Sequence, residues 1–383
     1  MHVKHLNLVN FRNYASVDIK FARGINILVG RNGQGKTNLV EAINYLATLS
    51  SHRVSGYLPL IKKNSSQALI RLLASFADRE NLIELELNVE ESNRARINKS
   101  SVSRVRDILG YLQSVIFSPE DIAIVKGDPS NRRDFLDQLL IQFSPRLAGV
   151  LSDYDRVLRQ RNTLLKTSRN LPKESAGLST LDAWDEQLVE LGSEIILQRI
   201  MLVNELLPHL DVAYKMIAEE KNDPSMVIKT SVLGNNIDDE IEVANFDKQA
   251  IIESFRNKLA SSRPKELERG VSLIGPHRDD LYLTLGELPA KGFISHGETW
   301  SFALALKLAS ANLLRNESVA GDPVLILDDV FAELDSVRRA RLIDLIASYE
   351  QVIITAAVSE DIPAGINATM FSIRDGKVVD HDG

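Results

Sequence analysis

Two short stretches carry the residue types that phosphate chemistry requires. "GRNGQGKT" spans Gly30, Arg31, Asn32, Gly33, Gln34, Gly35, Lys36 and Thr37. The glycines let backbone N–H groups curl around phosphate oxygens, Lys36 reaches the β- and γ-phosphates, and the Thr37 hydroxyl ligates Mg²⁺. "PVLILDDV" (Pro323–Val330) runs four apolar residues into two carboxylates. A buried strand ending in Asp328 delivers an oxygen ligand to the Mg²⁺ held by Thr37, and Asp329 can orient or deprotonate the attacking water. The catalytic candidates are therefore Lys36, Asp328 and Asp329, the metal candidates Thr37 and Asp328, and the cofactors ATP and Mg²⁺. A glycine turn with a solvated lysine, or a strand ending in solvated acids, is the plain alternative for either motif alone. Their occurrence together sets it aside.

"ISHGETW" (Ile294–Trp300) places a serine, a histidine and a glutamate within four residues, ahead of an apolar-periodic run. Adjacency does not make a nucleophilic triad, whose groups converge through the fold. At a helix start, Ser295 and Gly297 suit a different task, since hydroxyl, backbone N–H and helix dipole all favour an anion.

The elements that must position these residues are legible from periodicity. "HVKHLNLVNF" and "SVDIKF" alternate as half-buried strands, and "GINILVG" reads as a strand buried on both faces. Leu39, Val40, Ile43, Leu46 and Ala47 fall on a helical stripe just after the glycine loop. "ALIRLLASF", "LIELELNV" and "SVIFSPED" are further strands. From Pro145 to Lys166 and from Ser179 to about Leu207, leucines recur at helical spacing, with Ser179 and Asp182 as a capping box for the second helix. "TSRNLPKESAGLS" between them reads as a loop, which predicts a helical hairpin with arms on the order of 35–40 Å. "MVIKTSVL" suggests a strand and Asp247–Ala260 a helix. Regular α/β character returns after "GPHRDDLYLTL".

The fold class expected is α/β: an ABC-type P-loop ATPase head, a mixed sheet with helices, interrupted by an inserted helical arm. The expected division is 1–117 and 269–383 for the head and 118–268 for the arm. The 383 residues, 44% apolar and 25% charged, are those of a globular chain. Without cysteine, disulfides and thiolate metal sites are excluded. Neither a secretory signal nor a run of eighteen apolar residues is present, so a cytoplasmic location and no membrane partner are expected. A net charge of −7 argues against a uniformly basic nucleic-acid coat but allows a local basic patch.

Residues 38–322 separate the two phosphate motifs, the layout of ABC-type heads, which carry a Ser-x-Gly-Glu/Gln signature shortly before the acidic strand. "SHGE" at Ser295–Glu298 fits that place. "LNLVNFRNY", "VGRNGQGKTNLVEAI", "VIFSPEDIAIVKGDPSNRRDFLD", "LRQRNTLLK", "LIGPHRDDL" and "LILDDVFAELD" together span nearly the whole chain. On these segments the chain resembles the RecF family of bacterial recombination mediators, ABC/SMC-type ATPases. The resemblance implies an ATP-dependent homodimer in which Ser295 and Gly297 of one copy meet the ATP of the other. It implies binding to gapped DNA at single-strand/double-strand junctions with RecR, loading of RecA on gaps, and a place in DNA repair, replication and the SOS response. It further implies that Arg12 and Asn13 lie near the nucleotide and that Asp335 faces the other subunit. Thr355 stands where transporter heads carry a histidine, which implies a different γ-phosphate sensor. His296 replaces the usual glutamine of the signature. Asp329 stands where most such heads have Glu, although Asp is usual in the RecF family; the shorter side chain predicts slow hydrolysis suited to a switch, and the resemblance implies a weak, DNA-stimulated ATPase.

"NRARINKSSVSRVR" places Arg94, Arg96, Lys99, Arg104 and Arg106 in a stretch without an acid, a candidate for phosphate contacts with DNA. Arg156, Arg159, Arg161 and Lys166 form a second cluster and Lys62–Lys63 a third. His277, Asp279 and Asp280 in "GPHRDD" cannot all face one ion on a strand, so a structural or interface role is expected there. A transporter energy subunit would carry Glu in place of Asp329, and an SMC structural head would need far longer arms.

Overall fold

The computed structural model describes residues 1–77, 79–168, 176–218, 222–234, 247–318, 321–363 and 365–380. In chain order it runs β1 (His2–Phe11), β2 (Tyr14–Lys20), β3 (Gly24–Val29), α1 (Lys36–Thr48), β4 (Gln67–Phe76), β5 (Arg79–Asn88), β6 (Arg94–Ile97), β7 (Ser100–Ser101) and β8 (Ser114–Phe117). Then follow α2 (Ile122–Lys126), α3 (Pro129–Phe143), α4 (Leu147–Ser168), α5 (Ala176–Ile217), β9 (Pro224–Lys229), α6 (Lys248–Arg269), β10 (Asp280–Leu285) and β11 (Leu288–Pro289). The chain continues through α7 (Ala290–Phe293), α8 (His296–Glu317), β12 (Val324–Asp328), α9 (Ser336–Ile346), β13 (Gln351–Ala356), β14 (Ala368–Arg374) and β15 (Lys377–Asp380).

These elements fall into two compact units. The first comprises Met1–Ile122, His209–Lys221 and Ser295–Gly383, the second Ala123–Pro208 and Asn222–Ile294. The sequence-based division was at 118 and 268; the second unit instead extends to Ile294 because β10 pairs with β9 rather than with a strand of the first unit.

The first unit holds two six-stranded sheets. One has the order β2-β1-β4-β5-β6-β7 and is antiparallel; the other has the order β15-β14-β3-β13-β12-β8. In the second sheet β14, β3, β13, β12 and β8 run parallel, and β15 is antiparallel at the edge. Central β12 and β13 are buried along their whole length, which is why they read as continuous apolar runs. Strands of the antiparallel sheet alternate, as β4 does with Ala68, Ile70 and Leu72 inward. One core cluster joins Leu39, Val40, Ile43 and Leu46 of α1 to Leu6 and Leu8 of β1, Ile70 of β4, Ile326 of β12 and Ile353 of β13. A helix covered on almost every face is what such packing demands, and α1 is buried nearly all round.

The second unit packs α3, α4, α6 and the first part of α5 with a three-stranded sheet of order β11-β10-β9. The expected two-helix hairpin is here a three-helix arrangement. Arg161 of α4 is fully buried and bonds Asp185 of α5 at 2.5 Å, Glu266 of α6 at 2.7 Å and Ser272 at 2.7 Å. Gly192 of α5 lets the helices meet closely, since a Cβ there would stand 2.7 Å from the Phe255 ring of α6. α5 begins at Ala176 and runs 42 residues, so Ser179 lies inside it and does not cap it. The loop expected over 167–179 therefore holds the end of α4 and the start of α5; residues 169–175 lie outside the described residues. α6 continues past Ala260 through Pro264 to a left-handed cap at Gly270. α3 has a start signal that periodicity alone passes over: Asp128 and Asn131 form a capping box, with Pro129 at the first helical position.

Candidate functional site

The phosphate loop leaves the C-terminal end of β3 and opens α1. Gly33 and Gly35 take positive φ of 84° and 113°, and Gly35 is the N-cap of α1. The first N–H groups of a helix have no partner inside it and form an anion site. Glycine at 35 is required twice over. Besides the φ, a Cβ would sit 2.7 Å from the Tyr14 hydroxyl and 2.9 Å from Asn13 Nδ2. The "NFRNY" segment thus supports the loop from behind: Asn13 Nδ2 donates to the Gln34 carbonyl at 3.2 Å, and Asn38 donates to Asn13 Oδ1 at 2.7 Å.

Lys36 is buried, and its ammonium donates to the Gly30 carbonyl at 2.5 Å. Burial lowers its pKa, opposed by the charges of Asp329 and Asp328. Asp328, at the end of β12, is separated from Thr37 by 291 residues of chain, yet the Thr37 hydroxyl donates to its Oδ1 at 3.1 Å. Thr355, one strand over on β13 and in register with Asp328, donates to the same oxygen at 2.6 Å and accepts the Asp329 N–H at 2.9 Å. Burial raises the Asp328 pKa; Thr355, His52 and Thr37 pull it back only in part. Asp329 takes a left-handed backbone with φ 56° and has a buried Oδ1 without a partner among the described residues. A carboxylate and a hydroxyl within hydrogen-bond reach at the foot of a phosphate loop are the hard oxygen donors that Mg²⁺ takes. Thr37 and Asp328 fit that ion.

Asn32, Gly33, Gly35, Lys36, Thr37, Asn38, Arg53 and Asp329 line a cleft of about 320 Å³. A second of about 490 Å³ shares Asn38 and Arg53 and adds Arg12, Asn13, Pro59, Ile61 and Lys63. Arg53 was not anticipated. It donates to Asn38 Oδ1 at 3.0 Å from a loop held by Ser51, whose hydroxyl donates to Glu41 at 2.5 Å. Nothing in local periodicity marks it, because its importance comes from where the loop after α1 returns. Arg12 lines the second cleft, but its guanidinium is committed to Glu41, bonding both oxygens at 2.5 and 2.8 Å. Burial works to raise the Glu41 carboxyl, but the bonds from Arg12 and Ser51 outweigh it and hold its pKa low. Gly30, Arg31 and Gln34 border a further pocket with Glu360 and Arg374.

Ser295 caps α8 with Glu298 in a reciprocal box: the Glu298 N–H donates to Ser295 Oγ at 3.2 Å, and the Ser295 N–H to Glu298 Oε2 at 2.7 Å. Among the described residues no base sits on the hydroxyl, which accepts the Glu298 N–H and keeps its proton to donate outward. Ser295 and His296 are exposed. Gly297 is covered by Arg338, whose guanidinium a Cβ would approach to 3.5 Å. Arg338 pairs at 3.0 Å with Asp335, the N-cap of α9, so the two segments expected to face another subunit are tied together.

The basic stretch forms the edge hairpin β6–β7, turned through Asn98 and Lys99 at positive φ. Arg94 and Arg96 point to one face, with Ala95 buried between them. Acids on neighbouring segments offset part of the charge: Arg94 pairs with Glu91 at 2.6 Å, and Arg96 lies in register with Glu84 of β5. Lys99 and Arg104 are exposed and Arg106 half-buried. Two other basic clusters change meaning. Arg161 is an interior ion-pair centre, and Lys62 donates to the Asn13 carbonyl at 2.7 Å, beside the phosphate loop. In the second unit "GPHRDD" is an interior knot: Tyr154 bonds His277 Nδ1 at 2.7 Å, Arg132 pairs with Asp280 at 2.6 Å, and the Ser231 N–H donates to Asp279 at 3.0 Å. Burial pushes His277 down to about 4 and Asp279 up to about 6.

Residues 2–374 match the model of the RecF/RecN/SMC N terminal domain family. The chain is 51% identical to the DNA replication and repair protein RecF of Clavibacter michiganensis subsp. michiganensis, over 99% of this chain and 96% of that protein. It is 50% identical to the protein of the same name from Streptomyces avermitilis, over 99% of each. Among solved structures, the recombination mediator protein RecF-ATPrS in the RecFOR pathway superposes with TM-score 0.88 at 30% identity, covering 99% of this chain and 98% of that one. An SMC head bound to the C-winged helix domain of ScpA, 17% identical with TM-score 0.56, shares the fold alone. With a phosphate loop, an acidic β12 and a serine-capped α8 on an ATPase head of this kind, the chain belongs to the RecF family.

Proposed function

We propose that this chain is an ATP-switched DNA-binding protein of recombinational repair and replication restart. ATP and Mg²⁺ occupy the cleft lined by Lys36, Thr37, Asp328 and Asp329, with the base and ribose in the adjoining cleft beside Arg12, Asn13 and Ile61. The observation that carries the reading is the Thr37–Asp328–Thr355 hydrogen-bonded set, which brings the phosphate-loop hydroxyl and the acidic-strand carboxylate close enough to serve one Mg²⁺. Mg²⁺ would supply charge neutralisation at the β- and γ-phosphates. Lys36 holds the phosphates, and Asp329 orients water from a left-handed turn. ATP joins two copies through Ser295 and Gly297, with Asp335 at the same interface, and the dimer binds gapped DNA at single-strand/double-strand junctions. Its partners there are RecR and the RecA pathway, in the cytoplasm, under the SOS response. Relatives named for DNA replication and repair, and a neighbour named with a bound ATP analogue, support this reading. No helix among the described residues is long and apolar enough to cross a membrane.

Asp329 is shorter than glutamate and holds water less firmly, so hydrolysis is slow. DNA contacts are made by the β6–β7 edge through Arg96, Lys99 and Arg104, with Arg94 and Arg106 beside them; they touch backbone phosphates without reading sequence. Co-sedimentation with gapped DNA tests the whole: ATP should raise DNA affinity and protein dimerisation together. Affinity and dimerisation unchanged by ATP would overturn it.

A further inference from the structure

Arg338, in the first turn of α9, lays its guanidinium over the first turn of α8. A Cβ on Gly297 would stand 3.5 Å from Arg338 Nη1 and 3.6 Å from Nη2, so the planar group rests on the glycine. Nη1 donates to Asp335 at 3.0 Å, and Nε is buried without a partner. Nη2 makes no hydrogen bond among the described residues and is not buried, and the side chain as a whole keeps 27% of its surface exposed. Asp335 is already occupied as the N-cap of α9, where its carboxylate accepts the Arg338 N–H at 2.9 Å.

Taken alone, this placement is unfavourable. The start of α8 is the positive end of a 22-residue helix. Ser295 Oγ accepts the Glu298 N–H, and those of His296 and Gly297 have no acceptor within the helix. A guanidinium on that turn sets like charge beside like, and Asp335 offsets it only in part. An anion arriving there would meet the two N–H groups, the Ser295 hydroxyl proton and Arg338 Nη2 together. A phosphoryl group suits this set, because a guanidinium is planar, permanently charged and presents its donors in a fixed fork. The Asp335 bond holds the fork over Gly297, so little side-chain freedom is lost when the anion binds.

We propose that Arg338 of one copy donates from Nη2 to the terminal phosphoryl group of ATP bound by the other copy, acting in trans with Ser295 and Gly297. The proposal rests on the ATP-joined dimer given above. Arg338 lines none of the clefts around its own phosphate loop, which assigns the contact across the dimer.

The test is sedimentation equilibrium of the full chain with ATPγS and Mg²⁺. ATPγS affinity is also measured where the chain is monomeric, with thermal melting as a check of folding. A hydrogen bond to a charged group corresponds to about 10- to 100-fold in affinity. Arg338→Ala should weaken the dimer by about that factor for each ATP it encloses, while its monomer still binds ATPγS. Arg338→Lys, which keeps the charge but not the fork, should recover part of the loss. Mixing Arg338→Ala with Lys36→Ala shows which copy supplies the arginine. The ATP is then held by the Arg338→Ala copy and faces the intact Arg338 of the Lys36→Ala copy, so the mixture should hydrolyse ATP faster than either variant alone. An Arg338→Ala chain that dimerises as tightly as the wild type, a monomer that loses ATPγS, or a mixture no faster than its parts would overturn the role of Arg338 and leave the dimer standing. A wild-type chain that stays monomeric with ATPγS would overturn the dimer and this proposal with it.

Discussion

Thr355→Val removes one hydroxyl from a completely buried site and keeps the shape of the side chain. The wild-type hydroxyl donates to Asp328 at 2.6 Å and accepts the Asp329 N–H at 2.9 Å. The variant leaves that N–H without its acceptor and Asp328 with the Thr37 hydroxyl as its remaining donor among the described hydrogen bonds. A hydrogen bond to a charged group contributes about 1.5–3 kcal/mol, and an orphaned buried group costs about 1–3 kcal/mol. Because one hydroxyl serves both, the effects do not simply add, and about 2–4 kcal/mol is expected. The loss should depend on pH. Asp328 already has its pKa raised by burial, and losing the Thr355 donor raises it further. A carboxyl raised on folding is penalised once it ionises, so the variant's deficit grows as pH rises through the folded pKa and shrinks on acidification. Urea unfolding in a Trp184→Phe background reads this directly, because the remaining Trp300 packs edge-on against Phe117 of β8, the strand beside β12. Thr355→Ser keeps the hydroxyl and should lose only the methyl contribution, about 1 kcal/mol. A Thr355→Val deficit under about 0.5 kcal/mol, or one that grows in acid, would refute the reasoning.

Gly35→Ala should abolish nucleotide binding by calorimetry and cost about 2–4 kcal/mol, since it adds a Cβ 2.7 Å from the Tyr14 hydroxyl at a φ of 113°; intact binding would show that the loop can shift. Arg161→Leu leaves Asp185 and Glu266 buried with one partner fewer, and should destabilise the second unit by about 3–5 kcal/mol in urea, whereas Arg156→Ala on the exposed face should change it by under about 0.5 kcal/mol. His277 is held down at about 4, so its contribution is present above its usual value of 6.5 and lost as pH falls through about 4. Asp279, raised to about 6, works in the opposite sense between 3.8 and about 6. His277→Gln should therefore make the second unit gain stability between pH 6 and pH 4, by an amount on the order of 2 kcal/mol; a pH profile that does not move would contradict the burial of the ring.

The parts of the site that repeat a local pattern were legible before any coordinates. The glycine loop, the apolar run into Asp328 and the serine cap of α8 each state their geometry within a few residues. Arg53 was not legible, because only the return of the loop past Glu41 brings it to the phosphate side. Arg161 misled for the same reason: its neighbours on α4 are exposed, and the acids that bury it come from α5 and α6. The basic hairpin contains no acid of its own, yet Glu84 and Glu86 face it from the adjacent strand. Charge read along a chain is blind to charge across a sheet. The three-stranded sheet in the second unit escaped because β9 and β10 are far apart in sequence and each is short.

The central claim is that ATP joins two copies through Ser295. Sedimentation equilibrium of the wild type and of Ser295→Arg, each with ATPγS or ADP and Mg²⁺, tests it most directly. Twice the chain mass is expected for the wild type with ATPγS alone, and the monomer for wild type with ADP and for Ser295→Arg with either nucleotide, although Ser295→Arg still binds ATPγS. A wild-type mass indifferent to the nucleotide, or a Ser295→Arg chain that dimerises as well as the wild type, would contradict the account.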